Sequence, residues 1–252
     1  MLDRSSHAGI TTLALERRPL NILNGELMGH LTHALEDLSQ DPETRVVALT
    51  SKVEGVFSAG ADVREHLPGA DREMIGRFVT LCDRIVTYPK PTIAVVNGKC
   101  LGGGMELALS CDFVIASDAS TFGQPEIAVG VFPPVGASLY PRVSGLKAAY
   151  RMNLDPRPIT AAEALRMGFV TAVVPPGEVD AAANELAATL AKSSLAVYQR
   201  AKRAILEGLA LPWAQTMDRA SRIYLEDLMA TEDAAEGLHA FLEKRSPHWK
   251  DR

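Results

Sequence analysis

Three short apolar runs mark the first half of the chain, and they constrain its fold more than any other feature. The runs are "RVVALTS", "PTIAVVNG" and "CDFVIAS", which begin at Arg45, Pro91 and Cys111. Each run is short and apolar throughout, which is typical of a strand buried on both faces. Helical segments lie between the runs. This alternation predicts an α/β fold with parallel strand pairing.

Other elements are delimited by their end signals. The stretch "GITTLALER" alternates as a strand does and is expected to be the first strand of the chain. The following segment places four leucines on one helical face, with Asn24 as N-cap and Asp41-Pro42 at its end. Later, Thr160 and Glu163 form the pattern of a capping box, and Gly168 ends that helix.

The carboxy-terminal part differs, because almost everything after residue 178 has helical periodicity. We therefore predict an α/β core of residues 1–192 and a helical C-terminal region of residues 193–252. The chain of 252 residues is 47% hydrophobic and 23% charged, which is enough apolar material for a substantial core and disfavours disorder.

Charge and terminal composition narrow the functional classes. The net charge is −5 and the longest basic run is Arg17-Arg18, which disfavours a nucleic-acid partner. The first residues lack the features of a signal peptide, and no apolar run is long enough to span a bilayer. We expect a cytoplasmic protein without a membrane partner. Its three cysteines form no close pair, and we expect them to be reduced and buried.

The stretch "CLGGGMELALSCD", residues 100–112, places three glycines ahead of an apolar run that contains one glutamate. The spacing does not match a dinucleotide fingerprint, and no Gly-Lys-Ser/Thr completes a phosphate loop. One remaining interpretation is a tight strand-to-helix turn. The other is chemical: glycines let a substrate approach the backbone, and the first amides of a helix can hold a negative oxygen.

A second small-residue loop, "VFSAGADVRE" from Val56 to Glu65, favours the chemical interpretation. One backbone N–H group from each loop would form an oxyanion hole with two donors. Glu106 lies within the apolar helix, and Glu126 lies in "TFGQPEIAVGV". Two half-buried glutamates can act as an acid–base pair that holds a water molecule, although each can equally be a partly solvated surface residue.

Taken together, these segments resemble the crotonase, or enoyl-CoA hydratase/isomerase, family. The resemblance lies in "FSAGADVRE", in "KPTIAVVNGKCLGGGMELALSCDFVIASDASTFGQPEIAVGV" and in "ITAAEALRMGFVTAVV", and it extends over nearly the whole chain. It implies a crotonase-like α/β fold of repeated β-β-α units, with a helical C-terminal region that supports a trimer or a dimer of trimers. It also implies an acyl-CoA thioester substrate and no metal or other cofactor, since coenzyme A is part of the substrate.

The resemblance assigns roles to individual positions. It implies that Ala61 and Gly103 donate the two oxyanion-hole N–H groups, and that Glu106 and Glu126 are catalytic. Glu126 would deliver the α-proton, and Glu106 would orient and activate the water that attacks C3. The residues that would lie along coenzyme A, the last two of them often on a neighbouring subunit, are Arg18, Ala59, Asp62, Val63, Phe241 and Lys244.

Glutamates at both catalytic positions are typical of enoyl-CoA hydratases, so we expect water addition to a 2-enoyl-CoA. Three alternatives remain open: an enoyl-CoA isomerase, a ring-cleaving hydrolase, and a non-catalytic acyl-CoA- or RNA-binding relative. The chain departs from typical hydratases at "FPPVGASLYPRV", residues 132–143, where Val135 and Tyr140 add bulk that we expect to reshape the acyl pocket. The stretches "RPLNILN" and "GVFPPV" resemble cyclohexa-1,5-diene-1-carbonyl-CoA hydratases, which makes a cyclic dienoyl-CoA a further candidate substrate.

Overall fold

The structure is a computed structural model that describes residues 2–252. Its strands are β1 (Leu2–His7), β2 (Ile10–Leu15), β3 (Val46–Ser51), β4 (Val56–Ser58), β5 (Thr92–Val96), β6 (Lys99–Leu101), β7 (Phe113–Ser117), β8 (Thr121–Gly123), β9 (Ile159–Thr160) and β10 (Ala172–Val174). Its α-helices are α1 (Gly25–Gln40), α2 (Asp71–Val86), α3 (Gly103–Leu109), α4 (Pro134–Leu154), α5 (Ala161–Arg166), α6 (Val179–Leu190), α7 (Leu195–Ala210), α8 (Trp213–Arg222) and α9 (Glu232–Glu243).

The strands form two sheets. A six-stranded sheet has the order β1-β2-β3-β5-β7-β10, and a four-stranded sheet has the order β4-β6-β8-β9. All pairs from β2 to β10 in the larger sheet are parallel, as the buried apolar runs predict. The prediction that "GITTLALER" is the first strand was wrong. Leu2–His7 precedes it as an antiparallel partner, and its mostly exposed, polar side chains carry no apolar pattern.

Three consecutive β-β-α units build the centre of the molecule. They are β3-β4-α2, β5-β6-α3 and β7-β8-α4. In each unit the first strand joins the larger sheet and the second joins the smaller one. The predicted repetition of β-β-α units is therefore confirmed.

This repetition determines where the loops meet. Strands β4, β6 and β8 are parallel neighbours, so their carboxyl ends lie at one edge of the small sheet. The segments that follow these strands contain Ala61, Gly103 and Glu126, respectively. Residues that are far apart in sequence are thereby brought to one place.

The predicted helix ends are also found. The Asn24 side chain accepts from the Leu27 amide at 3.1 Å, and Asp41 is the C-cap of α1. Thr160 and Glu163 form a complete capping box at the start of α5. Gly168 follows that helix with a φ of +81°, a value that glycine adopts without strain.

One aspartate, Asp112, links helix α7 to the core. Asp112 accepts hydrogen bonds from the Thr92 amide and from the Tyr198 hydroxyl, both at 2.8 Å. Its other carboxylate oxygen lies 2.7 Å from Lys202 Nζ. Tyr198 and Lys202 both belong to α7, so this helix is anchored to strand β5. The domain division at residue 193 stays a prediction. Among residues 2–252, every helix is too short or too polar to cross a membrane.

Candidate active site

The loops after β4 and β6 contact each other backbone to backbone. A Cβ atom placed on Gly104 would lie 2.7 Å from both Cβ and the carbonyl oxygen of Ser58. A Cβ on Gly103 would lie 3.3 Å from the Ala61 nitrogen, and one on Gly60 would lie 3.5 Å from the Gly103 nitrogen. Side chains would push the two loops apart. The glycines are therefore needed for this close approach.

This packing leaves the backbone N–H groups of Ala61 and Gly103 close together and without hydrogen-bond partners among the described residues. Leu23 forms a parallel bridge with Ala61, in which Leu23 N donates to Gly60 O and Asp62 N donates to Leu23 O. In a parallel bridge of this kind, the N–H group of Ala61, which lies between Gly60 and Asp62, points away from Leu23. Gly103 is the first residue of α3, where helical amides lack partners. Within residues 2–252, neither N–H group has a backbone or side-chain acceptor.

Glu106 is the buried acid of the site. Every residue of α3 is buried, and the Glu106 residue is 2% exposed. Its Oε1 atom accepts a hydrogen bond from the Gly136 amide at 2.7 Å. Burial raises the pKa of Glu106 to about 8, the Gly136 hydrogen bond opposes this rise, and the nearby Glu126 charge adds to it.

Glu126 lies opposite the glycine loop. It belongs to a 3₁₀ turn, Pro125–Val129, that follows β8, and it is half-buried. Gly102 has a φ of +54°, and a Cβ atom there would lie 2.6 Å from Glu126 Oε1. The carboxyl group therefore occupies space that only glycine leaves free. Burial raises the pKa of Glu126 to about 7.

Gln124 orients Glu126 and was not identified from the sequence. All of its neighbours are satisfied when the amide nitrogen faces Glu126, donating to Oε2 at 2.9 Å and to Oε1 at 3.1 Å. The Tyr140 hydroxyl then donates to the Gln124 amide oxygen. A fully buried glutamine directly before Pro125 is the signal that could have revealed it.

The expectation that Tyr140 adds bulk to the acyl pocket was wrong. It is 0% exposed, and its ring packs edge-on against Phe169 with the centroids 5.3 Å apart. The side chain faces the core because Tyr140 lies on the buried face of α4, together with Gly136. Val135 is partly buried and packs against the same core.

Four of the residues predicted to lie along coenzyme A are near one another. Ala59 N donates to Leu20 O at 3.0 Å, which places the segment containing Arg18 beside the loop after β4. Arg18 is exposed, and Val63 is 65% exposed.

Asp62 has a structural contact of its own. Its carboxylate accepts two hydrogen bonds from the Arg64 side chain, and these contacts lower the pKa of Asp62 to about 2. Its side chain is thus already occupied, and its backbone N–H and C=O groups are paired with Leu23 and Glu65.

Phe241 and Lys244 are not brought to this site within the chain. Both lie at the end of α9, which packs against α7. Phe241 is 83% exposed, so its ring has no pocket of its own chain around it. No cluster of three or more metal-ligating side chains occurs in the described part of the chain, residues 2–252.

Comparisons with known proteins identify the family of this chain. The model of the family "Enoyl-CoA hydratase/isomerase" matches residues 5–252. A probable enoyl-CoA hydratase, echA8 of Mycobacterium bovis, is 37% identical over 100% of this chain and 98% of its own length. A cyclohexa-1,5-dienecarbonyl-CoA hydratase of Thauera aromatica is 36% identical over 95% of this chain and 92% of its own.

A solved structure gives the same result. The crystal structure of an enoyl-CoA hydratase from Bacillus anthracis superposes with a TM-score of 0.93 at 32% identity, covering 100% of this chain and 99% of that one. The predictions of the family, of the crotonase-like fold and of the enzyme class are confirmed. The chain belongs to the enoyl-CoA hydratase/isomerase family and is an enzyme of the enoyl-CoA hydratase class.

Proposed function

We propose that this enzyme adds water across the 2,3 double bond of a 2-enoyl-CoA thioester. One observation carries the proposal: the unpaired N–H groups of Ala61 and Gly103 lie beside two carboxyl groups with raised pKa values, Glu106 and Glu126. Two such donors bind the thioester oxygen and stabilise the negative charge that develops on it during addition. The acids supply proton transfer at the neighbouring carbons.

The two acids share the proton transfers. Water adds its oxygen to C3, and a proton is delivered to C2, so one acid must be ionised and the other protonated. Glu126 has the lower pKa, about 7, and is the better proton donor once protonated. Glu106, at about 8, is the stronger base for the attacking water. In the free chain the proton of the half-ionised pair favours Glu106, so the productive arrangement, with the proton on Glu126, is the less populated one.

Coenzyme A binding follows from the same loops. The exposed segment that contains Arg18, together with Ala59, Asp62 and Val63, would contact the coenzyme beside the oxyanion hole. The proposed reaction moves only a hydroxyl group and a proton. It therefore requires no redox cofactor, because no electrons are exchanged with a second molecule, and no metal ion, because the two backbone N–H groups polarise the thioester carbonyl.

A cyclic dienoyl-CoA is a second candidate substrate. It is favoured by the 36% identity to the Thauera aromatica protein named cyclohexa-1,5-dienecarbonyl-CoA hydratase. The "RPLNILN" and "GVFPPV" stretches support it from the sequence. The second of these begins at Gly130, four residues after Glu126, where it would border the acyl group.

The proposed assembly is a homotrimer or a dimer of trimers in the cytoplasm. Its support is an apolar surface on the C-terminal helices that one chain leaves uncovered. The large apolar side chains at least 60% exposed there are Ile205, Trp213, Leu225, Phe241 and Leu242. In such an assembly Phe241 and Lys244 would contact the coenzyme bound to a neighbouring subunit.

A panel of thioesters tests the reaction. The wild-type enzyme should hydrate crotonyl-CoA or cyclohexa-1,5-diene-1-carbonyl-CoA, measured as loss of conjugated absorbance with ¹⁸O incorporated from labelled water. Glu126→Gln should lower kcat by about 10²–10⁴-fold, because a general acid is removed. Binding of saturated butyryl-CoA should change little.

Other outcomes of the panel identify the rivals. Double-bond migration without ¹⁸O incorporation would indicate an isomerase, and carbon–carbon cleavage would indicate a hydrolase. A wild-type enzyme that binds both thioesters and converts neither would support a non-catalytic relative.

The contact between the two loops should be required for turnover. In Gly104→Ala the new methyl group would meet Ser58 and separate Ala61 from Gly103, so we expect kcat to fall by about 10²-fold or more. The matched control is Gly29→Ala, on the exposed face of α1 with open space around it, which should keep full activity. Full activity in Gly104→Ala would contradict the proposed oxyanion hole.

Burial of the Glu106 carboxyl group should lower the free energy of unfolding at neutral pH. Its pKa rises from an ordinary value of 4.5 to about 8 on folding, so between these pH values the folded chain holds a proton that the unfolded chain releases. The free energy of unfolding therefore falls as pH increases through this window. Glu106→Gln removes the effect and should stabilise the chain by about 1–3 kcal/mol at pH 7 and by less at pH 5.

Urea denaturation at the two pH values measures this difference. The control is Glu54→Gln, an exposed glutamate, which should change stability by less than about 0.5 kcal/mol at either pH. If Glu106→Gln and wild type had equal free energies of unfolding at pH 7, ionisation of the buried Glu106 would carry no free-energy cost, which would contradict the raised pKa.

The mass in solution tests the assembly. Light scattering should give three or six copies of the 27.1 kDa chain. Trp213→Glu, which places a charge on the apolar surface, should shift the enzyme toward monomer. A monomeric wild type would refute the proposed assembly.

A further inference from the structure

The hydroxyl of Tyr140 has one partner, and that partner contacts an acid of the site. Tyr140 and Gln124 are both 0% exposed, so their polar atoms cannot exchange partners with water. The Tyr140 hydroxyl contacts the Gln124 amide, which in turn contacts both oxygens of Glu126. A chain of hydrogen bonds therefore runs from the core to the carboxyl group.

The surroundings select one direction for this chain. One polar atom of the Gln124 amide group faces inward, toward the Tyr140 hydroxyl. The other faces outward, toward the Glu126 carboxylate and the Gly102 carbonyl oxygen, which lies 3.3 Å away. A carbonyl and an ionised carboxylate only accept hydrogen bonds, so the amide nitrogen must face outward. The amide oxygen then faces inward, where the Tyr140 hydroxyl is the only donor that the described residues supply.

Helix α4 contacts both acids through residues one turn apart. Gly136 donates its backbone N–H to Glu106, and Tyr140, four residues later, reaches Glu126 through Gln124. A Cβ on Gly136 would lie 2.9 Å from the Tyr140 ring, so the two positions pack tightly. The placement of one helix thus determines the positions of both carboxyl groups.

We propose that Tyr140 is a positioning residue for the reaction. Its hydroxyl holds the Gln124 amide with the nitrogen toward Glu126, which fixes the direction of that carboxyl group and favours its ionised form. This inference rests on the proposed function for the role of Glu126 and on the hydrogen-bond geometry for the role of Tyr140. The titratable groups whose charge acts on the Tyr140 hydroxyl are Glu106 on α3, Cys100 on β6 and Glu126 itself.

The test removes only the hydroxyl. In Tyr140→Phe the buried amide oxygen loses its donor, and the amide can turn whenever Glu126 is protonated, which stabilises the protonated form. The infrared carbonyl band of Glu126, assigned with Glu126→Gln, should titrate about 0.5–1 pH unit higher than in wild type. kcat should fall by about 3–10-fold, because the loss of a fixed direction for the Glu126 carboxyl group outweighs the gain from its larger protonated fraction, while KM should change by less than about twofold.

A matched control and a second variant make the result specific. Tyr88→Phe removes another buried hydroxyl, which donates to Leu35 O at 2.7 Å in the core, and it should leave both the titration and kcat unchanged. Gln124→Leu should shift both quantities at least as far as Tyr140→Phe. Because Tyr140 acts through Gln124, the double variant should match Gln124→Leu alone.

Several results would overturn the proposal. These are an unshifted Glu126 titration in folded Tyr140→Phe, a change in KM with kcat intact, or additive effects in the double variant. If the wild-type enzyme hydrates neither thioester, the proposed function fails, and the infrared titration still decides the role of Tyr140.

Discussion

The contact between two backbones, without side chains between them, is the constraint on which the site depends. Gly104 lies so close to Ser58 that a Cβ atom could not be added without displacing a neighbour, and Gly60, which contacts Gly103, has a φ of +108° that favours glycine. This approach holds the Ala61 and Gly103 N–H groups side by side. Backbone donors held in this way need no reorganisation during the reaction, which is the reason such donors stabilise charge effectively.

The acids are positioned by different means. Glu106 is enclosed by a fully buried helix and held by the Gly136 amide, whereas Glu126 is half-exposed and held by a buried glutamine. Burial raises the pKa of each carboxyl group into the neutral range, so the two can differ in protonation when the enzyme works. The cost is that a carboxyl group which ionises readily in the unfolded chain resists ionisation in the folded one.

Sequence reasoning identified the parts that repeat a known pattern or follow a local rule. The parallel strands and the caps at Asn24 and Thr160 have local signals, and the β-β-α repetition was implied by the family resemblance; the structure contains all of them. The first strand was missed because Leu2–His7 is polar and gains its pairing from β2. The contacts of Gln124 and Tyr140 could not be predicted, because they depend on side chains sixteen residues apart meeting in the core.

The arrangement of the small sheet has a consequence for divergence among relatives. Each of three adjacent parallel strands ends in one component: a donor after β4, a second donor after β6 and an acid after β8. The ladder of hydrogen bonds between these strands does not involve the loop side chains. Mutation can therefore replace the acid while the two backbone donors keep their positions. New reactions can then arise on this fold through changes in the segment after β8 alone.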